Sequence, residues 1–368
     1  MKKIFLIIPG PKFNLDHAFK DRCEGMSRYC CGTVLTSGPS AKLVHFGRFE
    51  VICVRDSKHK SWRSTVKFLL LGLWHLVKAK YNKNPFELIV TYDPLKSGLI
   101  GLVLKKLLNT KLSVEVNGDY TDPVNYVEFD NLLYRKYKRF LFIHVERLVL
   151  NNSDGIKLLY DHQIDYFKPL NRSPVIQRFA NYVNAKDFNN LGETKEVLFV
   201  GFPLVVKGVD ILVNAFKKAA RENTAWKLKI LGYYPDFEQL QNLIASEDNI
   251  FHHPPVDPAE MPEHIGSCGI FVLPSRTEAM GRVLIEAMAA GKPRLGSKVG
   301  GIPTVIEDGI DGMLFKSEDV DDLASKLSTL MNDKSLRKRL SNNAKIRYKT
   351  EFQASHYFAK LERFYMAI

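Results

Sequence analysis

Cysteine is scarce in this sequence, and its spacing excludes two structural uses. Five cysteines occur in 368 residues, and none forms a Cys-x-x-Cys pair or joins a histidine cluster as a zinc site would require. An odd number of scattered thiols is typical of a reducing compartment. We therefore predict five unpaired cysteines and no metal site built from them.

Long apolar runs are missing as well. The longest, Phe68–Val77, is interrupted by Gly72 and His75 and is much shorter than the about 20 residues that cross a bilayer. The short apolar stretch that precedes Pro9 is smaller than the apolar region of a signal peptide and is typical of a buried strand. We expect a cytoplasmic protein without a membrane-spanning segment.

Acidic residues are outnumbered by basic ones. Asp and Glu total 40 against 53 Lys and Arg, which gives a formal net charge of +13. An excess of this size favours an anionic partner such as a nucleotide, a phosphorylated substrate or a membrane surface. We do not expect a nucleic-acid partner, because no aromatic-interleaved recognition motif accompanies the basic runs.

Strand-like and helix-like segments alternate along the chain, which is typical of an α/β fold with parallel sheets. The predicted strands are Ile4–Ile8, Phe49–Val54, Leu88–Thr91, Lys111–Val116, Val197–Gly201, Trp226–Leu231, one near Ile250, Gly269–Leu273 and Arg294–Lys298. The predicted helices include Leu99–Leu108, Leu132–Leu150, Val209–Arg221 and Phe237–Ala245. A Pro- and Asn-containing linker, Leu170–Gly192, separates two runs of this pattern. We predict two Rossmann-like, doubly wound domains, residues 1–175 and 192–345, that face a cleft, with a C-terminal helix over 346–368 that crosses back to the first domain.

The segment after the strand Gly269–Leu273 has the pattern of an anion site. Pro274 ends the strand and Gly281 opens a helix, whose first N–H groups are free to bind phosphate. Glu286 lies about 7.5 Å further along the helix, near the reach from a diphosphate to its ribose. Glu278 precedes the helix, where a sugar attached to the diphosphate would lie. The alternative is a chance pair of glutamates, one in a solvated loop and one on an exposed helix face.

The residues that follow favour the functional interpretation. Gly300-Gly301 and Glu307-Asp308-Gly309 come in order after that helix, and the whole string resembles the C-terminal domain of the GT-B-fold retaining glycosyltransferases of family GT4. The resemblance covers roughly residues 196–335 well and the first domain loosely. Glu278 and Glu286 fall on the two positions of the family's Glu-x7-Glu signature.

The resemblance implies a role for each matching residue. Glu278 would contact the donor sugar and Glu286 the ribose of a nucleotide-sugar. The remaining donor contacts would be backbone groups around the helix start and in the turn that faces the base, namely Met280, Gly281, Arg282, Val283 and Val256.

A second match lies after the first strand of the second domain. Lys207 and Gly208 fall on a Lys-Gly pair that the family places beside the donor diphosphate, but Phe202 stands where an arginine is usual. A lysine alone holds a diphosphate less well than a lysine with a bidentate guanidinium. Lys12 and Arg282 are candidates for the missing cation, and the alternative is a degenerate transferase that serves as a nucleotide-sugar-binding subunit.

The first domain offers fewer matches. Lys12 follows the first strand, where the family often has paired glycines near the phosphates. Asn117 stands where a family histidine often faces the donor sugar. Asp119 is either a residue that orients an acceptor hydroxyl or part of an Asn-Gly-Asp turn. We expect this loop to line the cleft.

Basic residues flank the apolar run Phe68–Val77. A basic amphipathic helix with tryptophan is suited to anionic lipid headgroups, although a core helix with solvated basic ends is the alternative. A second basic run, Tyr134–Phe140, repeats the pattern. The candidate membrane contacts are Lys58, Lys60, Trp62, Arg63 and Lys67.

The resemblance implies a metal-independent enzyme without a cofactor, in which Glu278 and Lys207 are catalytic. It would move a sugar from a nucleotide-sugar to a glycan or lipid-linked acceptor with retention of anomeric configuration, in bacterial cell-surface polysaccharide synthesis. The basic runs would place it on the cytoplasmic face of the inner membrane. A nucleotide-sugar epimerase shares the fold and the donor and is the remaining enzyme alternative.

Overall fold

The structure is a computed structural model that describes residues 1–8, 17–38, 40–55, 62–234, 237–245 and 247–368, with the backbone alone at 17, 18 and 62–64. Lys12, Lys58 and Lys60 therefore lie outside the described residues. The chain forms two compact units. Unit 1 comprises Met1–Asn184 and Ala354–Ile368, and unit 2 comprises Ala185–Gln353.

The strands of the described residues form two sheets, one in each unit. In unit 1 they are β1 (Lys2–Ile7), β2 (Cys30–Gly38), β3 (Lys42–Phe46), β4 (Phe49–Arg55), β5 (Leu88–Thr91), β6 (Lys111–Glu115), β7 (Gly155–Leu158) and β8 (Val175–Arg178). In unit 2 they are β9 (Glu196–Val200), β10 (Lys227–Leu231), β11 (Ile250–His253), β12 (Ile270–Leu273), β13 (Arg294–Ser297) and β14 (Met313–Phe315).

The helices cover the faces of these sheets. The first four are α1 (His17–Met26), α2 (Trp62–Tyr81), α3 (Lys96–Leu108) and α4 (Leu132–Leu150). Those of unit 2 are α5 (Val209–Ala219), α6 (Phe237–Ile244), α7 (Met261–Ser267), α8 (Arg282–Ala289), α9 (Ile302–Val305), α10 (Val320–Asn332) and α11 (Lys334–Arg347). The last, α12 (Ala354–Ala367), belongs to unit 1. Short 3₁₀ turns lie at Pro123–Tyr126 and Asp161–Phe167, and a π turn at Tyr348–Phe352.

The sheet of unit 1 has the order β3-β4-β2-β1-β5-β6-β7-β8 and is parallel except for β3. Side chains alternate across it, because successive residues of a strand point to opposite faces. Phe5 and Ile7 pack beneath α2, α3 and α4, whereas Ile4 and Leu6 pack beneath α1 and α12. Both faces are therefore buried, as a parallel sheet requires.

A buried ion pair joins α1, β6 and α12 inside unit 1. The Arg22 guanidinium donates to Glu115 Oε1 at 2.5 Å, and the Tyr365 hydroxyl donates to the same oxygen at 2.9 Å. Burial opposes ionisation of Glu115, but Arg22, the nearby Lys157 and these hydrogen bonds outweigh it and lower the pKa of Glu115. The last helix is thus tied to the sheet by a polar contact as well as by apolar packing.

The sheet of unit 2 has the order β11-β10-β9-β12-β13-β14 and is parallel throughout. The chain starts in the middle at β9, moves outward to β11 and returns to β12 on the other side of β9. The order therefore reverses between β9 and β12. At such a point the loops after the two strands diverge and leave space at the carboxyl ends, where open α/β sheets bind ligands.

The predicted α/β fold with two Rossmann-like sheets is confirmed. Leu88–Thr91 and Leu132–Leu150 match the predicted bounds. The predicted linker, however, contains a strand, β8, which pairs with β7. All five cysteines are free, and burial raises the pKa of the Cys23 thiol to about 12. Within the described part of the chain, no helix is both long and apolar enough to cross a membrane.

Candidate donor site in unit 2

Two loops meet at the point where the strand order of unit 2 reverses. One follows β9 and carries Lys207, and the other follows β12 and carries Glu278. The Lys207 ammonium donates to Glu278 Oε2 at 2.5 Å. The Ser275 hydroxyl lies 3.5 Å from the same oxygen. Both charged side chains are mostly buried yet keep some exposure, which leaves their polar ends accessible to a ligand.

Gly208 allows these two loops to approach each other. Its φ of 65° is in the left-handed region, and a Cβ atom there would lie 2.1 Å from the carbonyl oxygen of Pro274. A side chain at this position would thus be strained and would also push the β12 loop away from Lys207. The requirement for glycine follows from this contact.

Arg276 fastens the same two loops. Its backbone N–H donates to the carbonyl of Val206 at 2.9 Å, and its guanidinium donates to both carboxylate oxygens of Asp210 at 2.7 Å. It also contacts Glu318 at 2.7 Å. The hydrogen bonds with Asp210 and the charge of Glu318 outweigh burial and raise the pKa of Arg276. Arg276 is not among the residues predicted from the sequence, and the one signal for it is that an arginine occurs inside the polar turn between Pro274 and Glu278.

A glycine pair supports the backbone of Glu278 from the other side. The N–H of Gly301 donates to the carbonyl of Glu278 at 2.9 Å. Cβ atoms at Gly300 and Gly301 would lie 2.0 Å from the carbonyl oxygens of Glu278 and Ala279. Only glycine fits this close to the Glu278 loop, so the pair determines the position of the Glu278 backbone.

The helix α8 begins directly after the Glu278 loop. Gly281 precedes it in the left-handed region at φ 74°, and among the described residues no side chain caps this end. Met280 is buried, Val283 is half-buried and Arg282 is exposed. The first N–H groups of the helix are therefore available to an anion, and the helix dipole favours negative charge there.

Glu286 lies in the second turn of α8. Burial raises the pKa of its carboxyl group, although the Arg282 charge opposes the shift. The described residues offer no hydrogen-bond partner for this carboxylate. A pair of hydroxyl donors on a ligand would supply what the protein does not.

Phe202, which stands where the family usually has an arginine, lies beside another aromatic ring. Its ring is 43% exposed and lies 5.8 Å from the ring of Tyr233, which is 60% exposed. Phe202 and Tyr233 follow β9 and β10 at the same edge of the sheet that carries Lys207. Val256, predicted to face the base, is half-buried in the segment between β11 and α7.

The predicted cleft-loop residues lie in unit 1 and are engaged within it. Asn117 donates to the carbonyl of Tyr92 at 2.7 Å and accepts from Asn181 at 2.7 Å. Asp119 Oδ1 accepts from the backbone and hydroxyl of Thr121, and its Oδ2 accepts from the Tyr160 hydroxyl at 3.1 Å. The hydrogen bonds to Thr121 form a local turn, and the hydrogen bond from Tyr160 connects that turn to the segment after β7.

The remaining predicted contacts lie on α2. Trp62 and Arg63 begin this helix, and Lys67 is exposed on it. The structure does not bring three His, Cys, Asp or Glu side chains together as a metal site anywhere in the residues it describes.

The comparisons with known proteins agree with this geometry. Residues 183–347, which include the whole of the site, match the family described as "Glycosyl transferases group 1". An uncharacterised glycosyltransferase of Methanocaldococcus jannaschii is 29% identical over 283 residues, covering 74% of this chain and 75% of that protein.

Solved structures share the fold. Sucrose-phosphate synthase of Thermosynechococcus elongatus superposes with a TM-score of 0.79 at 19% identity, over 100% of this chain and 99% of that one. HepE of Anabaena, crystallised with UDP-glucose, gives a TM-score of 0.74 at 14% identity, over 99% and 100% of the two chains. These likenesses show that the chain has the GT-B fold. Residues 183–347 in addition match the model of the glycosyl transferases group 1.

Proposed function

We propose that the chain transfers a sugar from a nucleotide-sugar to a glycan or lipid-linked acceptor with retention of the anomeric configuration. The Lys207–Glu278 pair beside the uncapped start of α8 carries the proposal. It joins a cation, a carboxylate and free N–H groups at the sheet edge where parallel α/β folds bind ligands. The cation and the free N–H groups can bind a diphosphate, and the carboxylate can accept a hydrogen bond from a sugar hydroxyl.

Each group has a distinct part in the proposed reaction. Lys207 and the N-terminus of α8 stabilise the negative charge that develops on the leaving diphosphate. Glu278 accepts a hydrogen bond from the donor sugar, and Glu286 accepts from the two ribose hydroxyls. The bond from the anomeric carbon to the phosphate oxygen breaks as a bond to the acceptor oxygen forms on the same face. The acceptor proton passes to the departing phosphate oxygen, and the proposed reaction uses neither a metal nor a cofactor.

The donor and acceptor classes rest on different support. HepE of Anabaena has the same fold and was crystallised in complex with UDP-glucose, which supports a nucleotide-sugar donor. The excess of basic residues supports an acceptor linked to an anionic lipid, handled on the cytoplasmic face of a membrane during cell-surface polysaccharide synthesis.

A second candidate is a nucleotide-sugar-binding subunit without turnover. Phe202 favours it, because an exposed ring contributes no charge to the leaving group. In that case Lys207 and Glu286 would still bind the donor, and no sugar would be transferred.

A thermal-shift screen followed by a transfer assay tests the proposal. Nucleoside diphosphates and their sugars are screened first, because a ligand that binds the folded state raises its apparent stability. The ligand with the largest shift then enters a turnover assay with wild type, Glu278→Gln and the control Glu238→Gln, a change at an exposed glutamate of α6. We expect Glu278→Gln to lower kcat by about a hundredfold or more and to leave the thermal midpoint near that of wild type.

Each result separates the candidates. Ligand binding without turnover by wild type would favour the binding subunit. Full turnover by Glu278→Gln would contradict the role of this carboxylate, and a loss in Glu238→Gln would show that the change is not specific to the site.

A further inference from the structure

The helices α2, α3 and α4 lie side by side on one face of the unit 1 sheet. Their inner sides fill the core, but their outer sides are also rich in apolar residues. Fourteen of the 26 exposed large apolar side chains of the described residues lie on these three helices. They are Val66, Leu70, Trp74, Val77, Tyr81, Val103, Leu107, Leu132, Leu133, Tyr134, Tyr137, Phe140, Leu141 and Leu148. We call the surface that they form the outer helix face.

These residues follow helical spacing. On α2 the exposed apolar residues recur after four, four, three and four positions, beginning at Val66 and ending at Tyr81. At 100° per residue they fall within an arc of about 80°. On α4 the set from Leu133 to Leu148, apart from Tyr134, falls within about 100° in the same way. Each of these helices thus has an apolar stripe toward solvent in addition to its buried one.

The charges on the three helices are of one sign. They carry twelve Lys or Arg residues, four on α2, three on α3 and five on α4. The only acid in the three helices is Glu146, which is buried. Lys67, Lys106 and Lys136 are exposed beside the apolar stripes. The three helices together carry a formal net charge of +11 (twelve basic residues and one acid), and these three lysines place part of it at the outer helix face.

This combination selects one kind of partner. Nucleic acid would use the cations and leave the apolar stripes without a partner, whereas an apolar protein surface would leave the cations without one. A bilayer with anionic headgroups satisfies both, since its interior takes the apolar stripes and its headgroups take the cations. Trp74, with Lys78 at 4.7 Å from its ring, and the exposed tyrosines have the amphipathic character of interfacial anchors.

We propose that the outer helix face binds the surface of an anionic lipid bilayer, with α2, α3 and α4 parallel to the membrane plane. The contact extends beyond Trp62, Arg63 and Lys67 to a second and a third helix. Its use in presenting a lipid-linked acceptor rests on the proposed function, but lipid binding is measured without sugar transfer and fails or succeeds on its own.

Co-sedimentation of the full chain with vesicles tests the proposal. The vesicles are phosphatidylcholine with and without phosphatidylglycerol. We expect binding only with phosphatidylglycerol, and weaker binding as salt rises. One variant carries Leu70→Gln, Leu107→Gln and Leu133→Gln, and we expect its affinity to fall at least tenfold. A second carries Lys67→Gln, Lys106→Gln and Lys136→Gln, and we expect a loss of about a hundredfold.

Matched variants of unit 2 serve as controls. The apolar control carries Leu191→Gln, Ile310→Gln and Ile346→Gln, and the charge control carries Lys334→Gln, Lys338→Gln and Lys349→Gln, all at exposed positions. Both controls should bind vesicles like wild type. Thermal unfolding confirms that each variant is folded.

A spectroscopic measurement locates the contact. The chain has three tryptophans, and Trp226 is buried in unit 2. In a Trp62→Phe variant, a blue shift of fluorescence with anionic vesicles therefore reports on Trp74. Absence of vesicle binding by wild type would overturn the proposal, and so would equal losses in variants and controls. Self-association that the apolar variant abolishes, without vesicle binding, would overturn it in favour of a second copy.

Discussion

Lys207 and Glu278 come from loops 71 residues apart in sequence, yet their charged atoms are 2.5 Å apart. In the absence of a donor each neutralises the other, so neither leaves an isolated charge in a half-buried site. A bound diphosphate would draw on the same ammonium group. The site therefore balances its own charge before a ligand enters, and Phe202 adds no further cation.

The raised pKa of Glu286 leads us to expect a pH dependence of the proposed ligand binding. Burial raises the pKa of its carboxyl group in the folded protein, so as pH falls it takes up a proton earlier than an ordinary glutamate. The protonated group is a poorer acceptor for ribose hydroxyls. We expect the affinity for a nucleotide-sugar to fall as pH drops through this raised pKa, by up to about tenfold per pH unit. Isothermal titration calorimetry across this range measures the effect, because the esterified diphosphate keeps its charge.

The Glu286→Gln variant is the control for this prediction. It should bind more weakly near neutral pH and show a flat profile. A pH profile that is the same in wild type and in Glu286→Gln would assign the titration to another group.

At the scale of elements, the glycines of unit 2 fix the loop that carries Glu278. Gly301 has an ordinary φ of −84°, so an alanine there is not strained by its backbone conformation. Its Cβ atom would lie 2.0 Å from the carbonyl oxygen of Ala279. At Gly309 the opposite holds. Its φ of 72° would strain an alanine, but a Cβ atom there would have no atom within 4 Å.

The two positions separate a clash from backbone strain. We expect Gly301→Ala to displace the loop and lower kcat at least tenfold. We expect Gly309→Ala to lower the free energy of unfolding by about 1 kcal/mol and to leave kcat unchanged. Steady-state kinetics and urea unfolding of both variants provide the comparison. Wild-type kcat in Gly301→Ala would show that the loop does not depend on this contact.

The sequence identified the elements whose patterns are strong and local. Leu132–Leu150 has helical periodicity over several turns, and Leu88–Thr91 is a compact apolar run. The strand β8 was missed because its four residues lie among prolines and asparagines, and its alternation is visible only beside β7. The role of Arg276 was missed for a related reason, since its partners Val205 and Asp210 precede it by 71 and 66 residues.

The family motifs selected two loops of unit 2 as the candidate site, but they did not predict the contacts between these loops. The prediction that Lys207 and Glu278 belong to one site came from a resemblance, whereas their ion pair depends on the strand order β9-β12. The turn at Asp119 has local hydrogen bonds that its sequence Asn-Gly-Asp already favours. The outer helix face could not be predicted from the sequence, because it depends on the packing of α2, α3 and α4 side by side.

At the scale of the whole molecule, each unit has its own buried core. Leu361 of α12 is fully buried in unit 1, and Leu327 of α10 is fully buried in unit 2. We expect two unfolding transitions in differential scanning calorimetry. Leu361→Ala should destabilise one of them by about 2–5 kcal/mol, and Leu327→Ala the other by a similar amount.

A nucleotide ligand identifies which transition is which. At a concentration of about 100 times its Kd it should stabilise the transition affected by Leu327→Ala by about 2.7 kcal/mol and leave the other in place. A single transition that every variant and the ligand shift together would show that the two units unfold as one.

The position of α12 has a consequence for the order in which a newly made chain can fold. The ribosome releases Ala185–Gln353 before Ala354–Ile368, so unit 2 is complete in sequence while unit 1 still lacks α12. Until α12 is synthesised, Arg22 and Glu115 lack the Tyr365 hydroxyl, and one face of the unit 1 sheet lacks the part of its cover that α12 provides. Most multidomain chains finish their N-terminal domain first. Here Ala354–Ile368, which is synthesised after unit 2, completes unit 1.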